Sequence, residues 1–263
     1  MDRCAEGSLR SALIQFELAF DTQQERRVTI RWDRPRQRSR RGKTAVAATQ
    51  VEREQEGFVF HQPKVLALVP PEWLCASLVA WQQVPASVND IAPWFDQHLL
   101  DQFPGSLVHI ASPKYAPHLY DRPATYAKIY VRHGQPEQLQ AALQSADFYV
   151  QHLGEDGFFT LKPGDHKYVY AEGAAILYLL TGDERYRQAV LQSLISWSKW
   201  QRVAYVGEGF WTERHTAFGM AAYLHVYELT GDRTWLEAAQ PFFDGVYRLQ
   251  VKPLDGGPAD GAW

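Results

Sequence analysis

Tyr178-Leu-Leu-Thr-Gly-Asp-Glu-Arg-Tyr186 recurs in this chain as Tyr227-Glu-Leu-Thr-Gly-Asp-Arg-Thr-Trp235. A degraded earlier copy runs Tyr130-Val-Arg-His-Gly-Gln-Pro-Glu-Gln138. The spacing of about 48 residues leaves room for two helices and a turn in each repeat. The sequence therefore predicts that the second half of the chain consists of stacked helical hairpins.

Each copy of the repeat places a glycine where the first helix of a hairpin should end: Gly134, Gly182 and Gly231. Glycine enters the left-handed conformation required at this position at little cost. Asp183 and Asp232 follow as N-caps of the next helix, and the first copy has Pro136 at the first helical position. We expect a tight turn within each hairpin.

The two helices of a hairpin differ in their apolar pattern. The second helix carries one apolar stripe, which in the first copy consists of Leu139, Leu143, Ala146, Val150 and Leu153. The first helices, at about 121–132, 169–180 and 213–229, are rich in small and apolar residues around the helix. We expect these first helices to be the buried, inner members of each pair.

The connections between hairpins, at 154–167 and 201–212, are long, whereas those within hairpins are short. All long loops and all N-termini of the inner helices should therefore lie at one end of the stack, where binding sites are commonly built. The candidate site residues at that end are Tyr120, Asp121, Arg122, Asp165, His166, Tyr168, Tyr170, Glu172, Trp211, Glu213, Arg214 and His215.

Several of these residues suit proton transfer beside a carboxylate. If the second inner helix begins near Asp165, His166 and Tyr170 lie one turn apart, where an imidazole and a phenol can exchange protons with a sugar. An aromatic residue and a histidine at this spacing are also typical of core packing. Arg214 and His215 have no capping role at a helix N-terminus, and a guanidinium there suits a substrate carboxylate.

Carboxylates at the same end have both structural and functional explanations. Glu172 precedes small residues on the inner helix and is expected to be partly desolvated. Asp121 is a candidate cap, Arg122 a candidate ligand for an anion or hydroxyl, and Glu213 complements a helix dipole.

The sequence holds no GxSxG, phosphate-binding loop, dinucleotide-binding glycine pattern or metal-ligand histidine pair. We therefore expect acid–base chemistry without a cofactor or metal.

Composition restricts the partners. The formal net charge of −3 gives no general attraction to nucleic acid or anionic membranes, and no apolar run reaches membrane length. The 9 Trp and 13 Tyr residues slightly favour a sugar-binding surface. Cys4 and Cys75 are too far apart for metal-ligand spacing. Residues 1–20 lack the order of a signal peptide, so the chain as written is expected to be cytoplasmic.

The fold class predicted is α+β, with three parts. Residues 1–84 are predicted to form an N-terminal antiparallel, β-sandwich-like domain, residues 85–117 a linker, and residues 118–263 the helical hairpins. The β-type stretches in the first part are Ala12–Phe20, Arg27–Trp32, Phe58–Phe60, Lys64–Val69 and Leu74–Trp81.

Two segments carry a resemblance to a known family. Asp165-His-Lys-Tyr-Val-Tyr-Ala-Glu-Gly173 with the following repeat, and Arg214-His215 before the next repeat, resemble the (α/α) toroid of carbohydrate-active enzymes. Polysaccharide lyases with an N-terminal β domain, of the exo-acting rhamnogalacturonan lyase-like kind, are the nearest in character. The resemblance implies β-elimination beside a uronate carboxylate by Tyr, His and Arg residues near inner-helix N-termini.

The resemblance thus assigns roles to the candidate residues. Those expected to be catalytic are Tyr170, His166, His215 and Glu172. Those expected to bind a polysaccharide or oligosaccharide substrate are Arg214, Arg122, Asp121, Tyr168 and Trp211. Two alternatives remain open at this stage: a glycoside hydrolase of the same fold that uses Glu or Asp, and a non-catalytic helical-repeat binding protein.

The chain departs from the toroid in its number of hairpins. Three are predicted here, whereas the ring is often built from six pairs. We therefore expect either a fragment that lacks the C-terminal half of a toroid or a chain that needs a second subunit. Phe218, Tyr223 and Trp235 are expected to lie on an exposed apolar flank, which would promote self-association.

Overall fold

The computed structural model describes residues 2–3, 9–11, 50–55, 57–63, 66–200 and 212–251. The contacts divide the chain into two units, Met1–Thr49 and Gln50–Trp263. In the first unit, β1 (Asp2–Arg3) pairs antiparallel with β2 (Leu9–Ser11). In the second, β3 (Gln50–Gln55) and β4 (Phe58–Pro63) form an antiparallel hairpin in which Gln55 lies opposite Phe58.

The second unit is mostly helical. Its helices are α1 (Pro71–Ala76), α2 (Pro93–Ser106), α3 (Arg122–His133), α4 (Pro136–Gln151), α5 (Glu172–Thr181), α6 (Glu184–Trp197), α7 (Thr212–Thr230) and α8 (Thr234–Val251). This composition agrees with the coarse α+β prediction. A β-sandwich is not shown, because each sheet within the described ranges has two strands.

The helical hairpins predicted from the repeat are present as α3–α4, α5–α6 and α7–α8. Helix α5 packs between α3 and α7, so these three helices form one row, and α4 and α6 pack beside them. The apolar stripe of the second helices faces the core, since Leu139, Leu143 and Ala146 are buried, as are Tyr186 and Val190. The predicted stacking of hairpins is therefore observed.

The glycine turns have the predicted geometry. Gly134, Gly182 and Gly231 have φ values of 75°, 69° and 71°. In each turn the glycine N–H donates at 2.7 Å to the carbonyl oxygen of the tyrosine that opens the repeat. This hydrogen bond satisfies a carbonyl that the end of the helix would otherwise leave unpaired. The three hairpins therefore share the same hydrogen-bonded glycine turn.

The threonine of the repeat also has a structural role that the sequence analysis did not assign. Thr181 Oγ1 donates to the Leu177 carbonyl oxygen at 2.6 Å and accepts the Asp183 N–H at 3.2 Å. Thr230 makes the equivalent pair of hydrogen bonds in the next copy. The hydroxyl therefore joins the last turn of one helix to the cap of the next.

Three predictions about the first part of the chain need correction. One is the β-type stretch at 64–69, of which the described residues 66–69 lie in no strand. Leu74–Trp81 was expected to be a strand, but Leu74 belongs to α1, which begins at Pro71 with Glu72 in its first turn. The segment 85–117, expected to be a linker, contains the 14-residue helix α2. Phe58–Phe60 does lie in a strand, whereas Ala12–Phe20 and Arg27–Trp32 lie outside the described residues.

Helix α2 is fixed along α3 by hydrogen bonds near both ends. Arg132 donates from Nε and Nη2 to the buried Asp96 carboxylate at 2.7–2.9 Å. Burial alone would raise the pKa of Asp96, but the hydrogen bonds from Arg132 and Asn89 outweigh it and the pKa is lowered. At the other end, Tyr126 donates to the Ser106 carbonyl oxygen at 3.0 Å. The two helices therefore run antiparallel.

The expected apolar flank on the third hairpin is not formed by the residues named for it. Tyr223 is buried, and Phe218 and Trp235 are partly buried against the core. Tyr223 lies 5.5 Å from Phe242 and 6.3 Å from Trp235, measured between ring centres. Pairing of α7 with α8 covers Tyr223, and Phe218 packs against the ring of Tyr170, so the prediction that these residues form an exposed flank was wrong.

Candidate functional site

The beginnings of the first two inner helices are joined by one carboxylate. Asp121 Oδ1 accepts the N–H of Ala124 at 2.9 Å, which caps α3, and Oδ2 accepts the N–H of Gly173 at 3.0 Å in the first turn of α5. The pKa of Asp121 is raised to about 6, because burial and the nearby Glu172 carboxylate outweigh the lowering effect of both N–H groups and of Lys128. This carboxyl group can therefore exchange a proton near neutral pH.

Gly173 allows this close approach. A Cβ atom at residue 173 would lie 2.5 Å from Pro123 Cβ and 2.6 Å from Ala124 N, both closer than real Cβ contacts. The glycine lets the first turn of α5 touch the first turn of α3. Glu172, the first residue of α5, pairs with Lys128 Nζ of α3 at 2.6 Å. Two polar contacts and one glycine thus hold the two helix N-termini together.

Tyr170 is held by the backbone around it. Its hydroxyl donates to the Lys167 carbonyl oxygen and accepts the N–H of Tyr120 at 2.5 Å. Its own N–H donates to the hydroxyl of Tyr149 at 2.8 Å. Burial raises the pKa of the Tyr170 phenol, so the hydroxyl keeps its proton at neutral pH.

The predicted helical spacing of His166 and Tyr170 is not present. Residues 166–168 form a single 3₁₀ turn, and α5 begins only at Glu172. The backbone N–H groups of Tyr170 and Gly173 are satisfied by Tyr149 and Asp121 rather than within a helix. Tyr170 therefore lies before the helix, and the contact from Asp121 satisfies an N–H in the first turn of α5.

An exposed aromatic ring beside an arginine is the main feature of the loop end. Tyr120 is 60% exposed and has a φ of 116°, a value that is rare for a residue other than glycine. The guanidinium carbon of Arg214 lies 5.3 Å from the centre of the Tyr120 ring and 6.0 Å from that of Phe218. Strained backbone of this kind is found preferentially at functional sites. The sequence placed Tyr120 at this end but gave no sign of its backbone conformation.

His166 and His215 lie together at the start of α7. Their ring centres are 6.4 Å apart, and Trp200 is within 5.0 Å of both. His166 Nε2 is 3.1 Å from the Ser196 carbonyl oxygen, whereas the buried Nε2 of His215 has no hydrogen-bond partner among the described residues. Burial, with His166 and Arg214 nearby, lowers the pKa of His215 to about 4. Its imidazole is therefore neutral at pH 7.

The remaining predicted site residues, Tyr168, Arg122 and Trp211, are not among the contacts described so far. Tyr168 is buried with its ring stacked on Phe159, and burial raises the pKa of its phenol. Arg122 faces α2, where Nη1 donates to the Ser106 carbonyl oxygen at 3.2 Å, and it lines a separate pocket there. Trp211 lies outside the described residues, and so do the side chains of Thr212 and Glu213.

The structure therefore brings most of the candidates to the end of the row where α3, α5 and α7 begin. Asp121 contacts the first turn of α5, Tyr170 contacts the backbone of Tyr120, and Arg214 contacts the Tyr120 ring. We call these residues the loop-end cluster: Tyr120, Tyr170 and Arg214, together with His215, which follows Arg214 on α7 and whose ring contacts His166 and Trp200. Gly134 lies at the opposite end of α3, against Pro71.

Within the described ranges, no group of three or more His, Cys, Asp or Glu side chains is placed to hold a metal ion. Among the same residues, no helix is both long enough and apolar enough to cross a membrane. Comparison of the chain with protein-family models, curated proteins and solved structures found no match.

Proposed function

We propose that this protein cleaves a uronic-acid-containing polysaccharide by β-elimination, with the substrate bound at the loop-end cluster. The observation that carries the proposal is the Arg214 guanidinium beside the exposed ring of Tyr120. An exposed ring offers a flat apolar face to a sugar, and a guanidinium binds a carboxylate by paired hydrogen bonds. A sugar acid presents both groups together.

The chemistry requires a base, an acid and charge neutralisation. A base removes the proton from C5 of the uronate, the electron pair forms the C4=C5 double bond, and the bond from C4 to the glycosidic oxygen breaks. The neutral His215 imidazole supports the role of base, and the protonated Tyr170 hydroxyl supports proton donation to the leaving oxygen. Arg214 would stabilise the negative charge that develops on the carboxylate.

The Tyr170 hydroxyl must exchange a partner in this mechanism. It donates to the Lys167 carbonyl oxygen in the free protein, so donation to substrate requires that hydrogen bond to be replaced. The N–H of Tyr120 remains available to hold the phenol oxygen in place. The hairpin row supports the further proposal that these helices form part of an (α/α) toroid.

The proposal is tested by the ultraviolet absorbance of the unsaturated uronate that β-elimination leaves. Purified protein is incubated with a panel of polysaccharides that contain galacturonate, glucuronate, mannuronate or guluronate. We expect absorbance to rise with one of them, and Tyr170→Phe to reduce the rate about 10²- to 10⁴-fold. Tyr247→Phe, at an exposed ring on α8, is the matched control and should leave the rate unchanged.

Two outcomes would contradict the lyase. One is an absence of absorbance with every uronic polysaccharide while the protein remains folded by circular dichroism. The other is a Tyr170→Phe variant that is folded and as active as the parent, which would assign Tyr170 to core packing.

A glycoside hydrolase is the second candidate, and one observation favours it. Asp121, the cap of α3, accepts the Gly173 N–H next to Glu172, and the Asp121 pKa of about 6 suits a general acid near neutral pH. In that case cleavage would release reducing ends without ultraviolet absorbance. Glu172→Gln and Asp121→Asn would then abolish the release, while Tyr170→Phe would have the smaller effect.

A further inference from the structure

We propose that the pocket between α2 and α3 binds a small aromatic carboxylate. The pocket has a volume of about 440 Å³, which lies in the usual range for small-molecule sites. It is lined by Leu99, Gln102, Phe103 and Ser106 of α2, by Ala116, Pro117, Leu119 and Tyr120, and by Arg122, Thr125, Tyr126 and Ile129 of α3. Tyr120 borders both this pocket and the loop-end cluster, but Tyr170, Arg214 and His215 do not line the pocket.

The lining selects a planar, apolar ligand body. Phe103 and Tyr126 meet edge to face with 5.8 Å between ring centres, and Tyr120 adds a third ring to the wall. Such rings prefer to meet another aromatic ring edge to face or offset. A sugar would have to bury several hydroxyl groups against Leu99, Phe103 and Ile129, where they would lose hydrogen bonds to water without replacement. An aromatic ring does not carry that cost.

The charge in the pocket selects an acid. Arg122 is the charged residue in the lining, which contains no Asp or Glu among the described residues. Its Nη1 donates to the Ser106 carbonyl oxygen at 3.2 Å, which orients the guanidinium. The other N–H groups of the fork have no acceptor in the described part of the chain, and a carboxylate suits them in geometry and charge.

The walls are fixed before a ligand arrives. Ser106, the last residue of α2, accepts hydrogen bonds from Tyr126 at its carbonyl oxygen and at Oγ, at 3.0 and 2.9 Å. The carbonyl oxygen accepts from Arg122 as well. Because one residue of α2 holds two side chains of α3, little conformational entropy remains to be lost on binding.

Binding of benzoate to the purified protein tests the proposal, measured by calorimetric titration and by saturation-transfer NMR. Benzamide has the same ring without the charge, acetate has the charge without the ring, and glucuronate is a sugar acid. We expect benzoate to bind at least about tenfold more tightly than benzamide or acetate, a difference that corresponds to one good charged contact, and we expect glucuronate, which also suits the loop-end cluster, not to displace bound benzoate.

Variants distinguish binding in the pocket from binding elsewhere on the protein. Arg122→Gln should weaken the binding of benzoate at least about tenfold and leave the binding of benzamide unchanged. Gln102→Glu, at an exposed position on α2, should have the same two effects, because the new carboxylate repels benzoate. Ala116→Phe should abolish binding of both by filling the pocket. Arg187→Gln, on α6, is the matched control for a lost surface arginine and should bind benzoate normally.

The proposal would be overturned by any of three results. These are benzoate and benzamide binding equally, glucuronate displacing bound benzoate as effectively as unlabelled benzoate does, and folded Arg122→Gln and Gln102→Glu variants that both bind benzoate as the parent does. Should Arg122→Gln fail to fold by circular dichroism, Gln102→Glu alone decides the result.

Discussion

At the scale of single residues, the loop end is built from polar groups that serve two elements at once. Asp121 caps its own helix and binds the N–H of Gly173, and the Tyr170 hydroxyl binds the backbone of residues 120 and 167. Such groups have a structural role whether or not they act on a substrate. Their chemistry is therefore best tested by properties that packing alone would not change, such as pH dependence.

His215 should make stability depend on pH. Its pKa is lowered from 6.5 to about 4 in the folded chain, so the unfolded chain binds the proton first as pH falls. The stability contribution is present above pH 6.5 and is lost as pH falls toward 4, and we expect it to be on the order of 1–3 kcal/mol. His215→Gln should remove that part of the slope in urea unfolding curves collected across this range.

The control for His215 is His98→Gln, at an exposed position on α2. It should leave the slope between pH 4 and 6.5 as in the parent. Equal slopes for the parent and His215→Gln would show that the imidazole of His215 is not kept neutral by its surroundings.

At the scale of elements, glycine decides how closely the helices approach. Gly173 brings the first turn of α5 against Pro123 and Ala124 of α3, and Gly219 of α7 lies where a Cβ would be 2.6 Å from the Phe242 ring of α8. The two glycines are helical and have ordinary backbone angles, so their role is space. The Gly134, Gly182 and Gly231 turns instead use the left-handed conformation.

The same substitution at two glycines should have opposite effects. Gly173→Ala forces the α3 and α5 N-termini apart and breaks the Asp121 contact, and we expect a loss of about 2–4 kcal/mol in the free energy of unfolding. Gly105→Ala, on α2 with nothing within 4 Å of its Cβ, should be neutral or stabilising by up to about 1 kcal/mol. Chemical denaturation of both variants measures the difference. A Gly173→Ala variant as stable as the parent would mean that the helices do not approach so closely.

At the scale of the second unit, a buried charge network connects the β-hairpin to the helices. Asp147 of α4 is almost fully buried and accepts the His61 N–H of β4 and Arg185 Nη1 of α6, both at 2.7 Å. Arg185 also pairs with Asp183, the cap of α6. Three elements thus contact one buried carboxylate, and removing Arg185 would leave Asp147 buried without the guanidinium that pairs with it.

Asp147→Asn should therefore destabilise the whole second unit. We expect a loss of about 3 kcal/mol, because Arg185 loses a buried partner and the strand loses an acceptor for its N–H. Hydrogen exchange should increase most in residues 58–63. Asp101→Asn, at an exposed position on α2, should change stability by less than about 0.5 kcal/mol. Similar melting temperatures for both variants would contradict a structural role for the network.

The sequence determined the parts of this protein that depend on neighbours a few residues apart. The glycine turns, the Asp183 cap and the apolar stripe at Tyr186 and Val190 follow from local backbone preferences and helical spacing, and all are observed. Local pattern failed where an apolar run was short. By pattern alone, Leu74–Trp81 suits a strand or a helix. Pro71 and Glu72, which favour a helix N-terminus, were the local signal for α1 that the strand prediction did not use.

Tertiary structure alone decided the arrangement of the candidate site. The positive φ of Tyr120, the start of α5 at Glu172 and the position of Arg214 over the Tyr120 ring depend on contacts between residues far apart in sequence. The Asp121–Gly173 hydrogen bond spans 52 positions and the Tyr120–Tyr170 hydrogen bond spans 50. No local propensity encodes such pairs, because they form only when the hairpins pack and leave each buried N–H a single acceptor within reach.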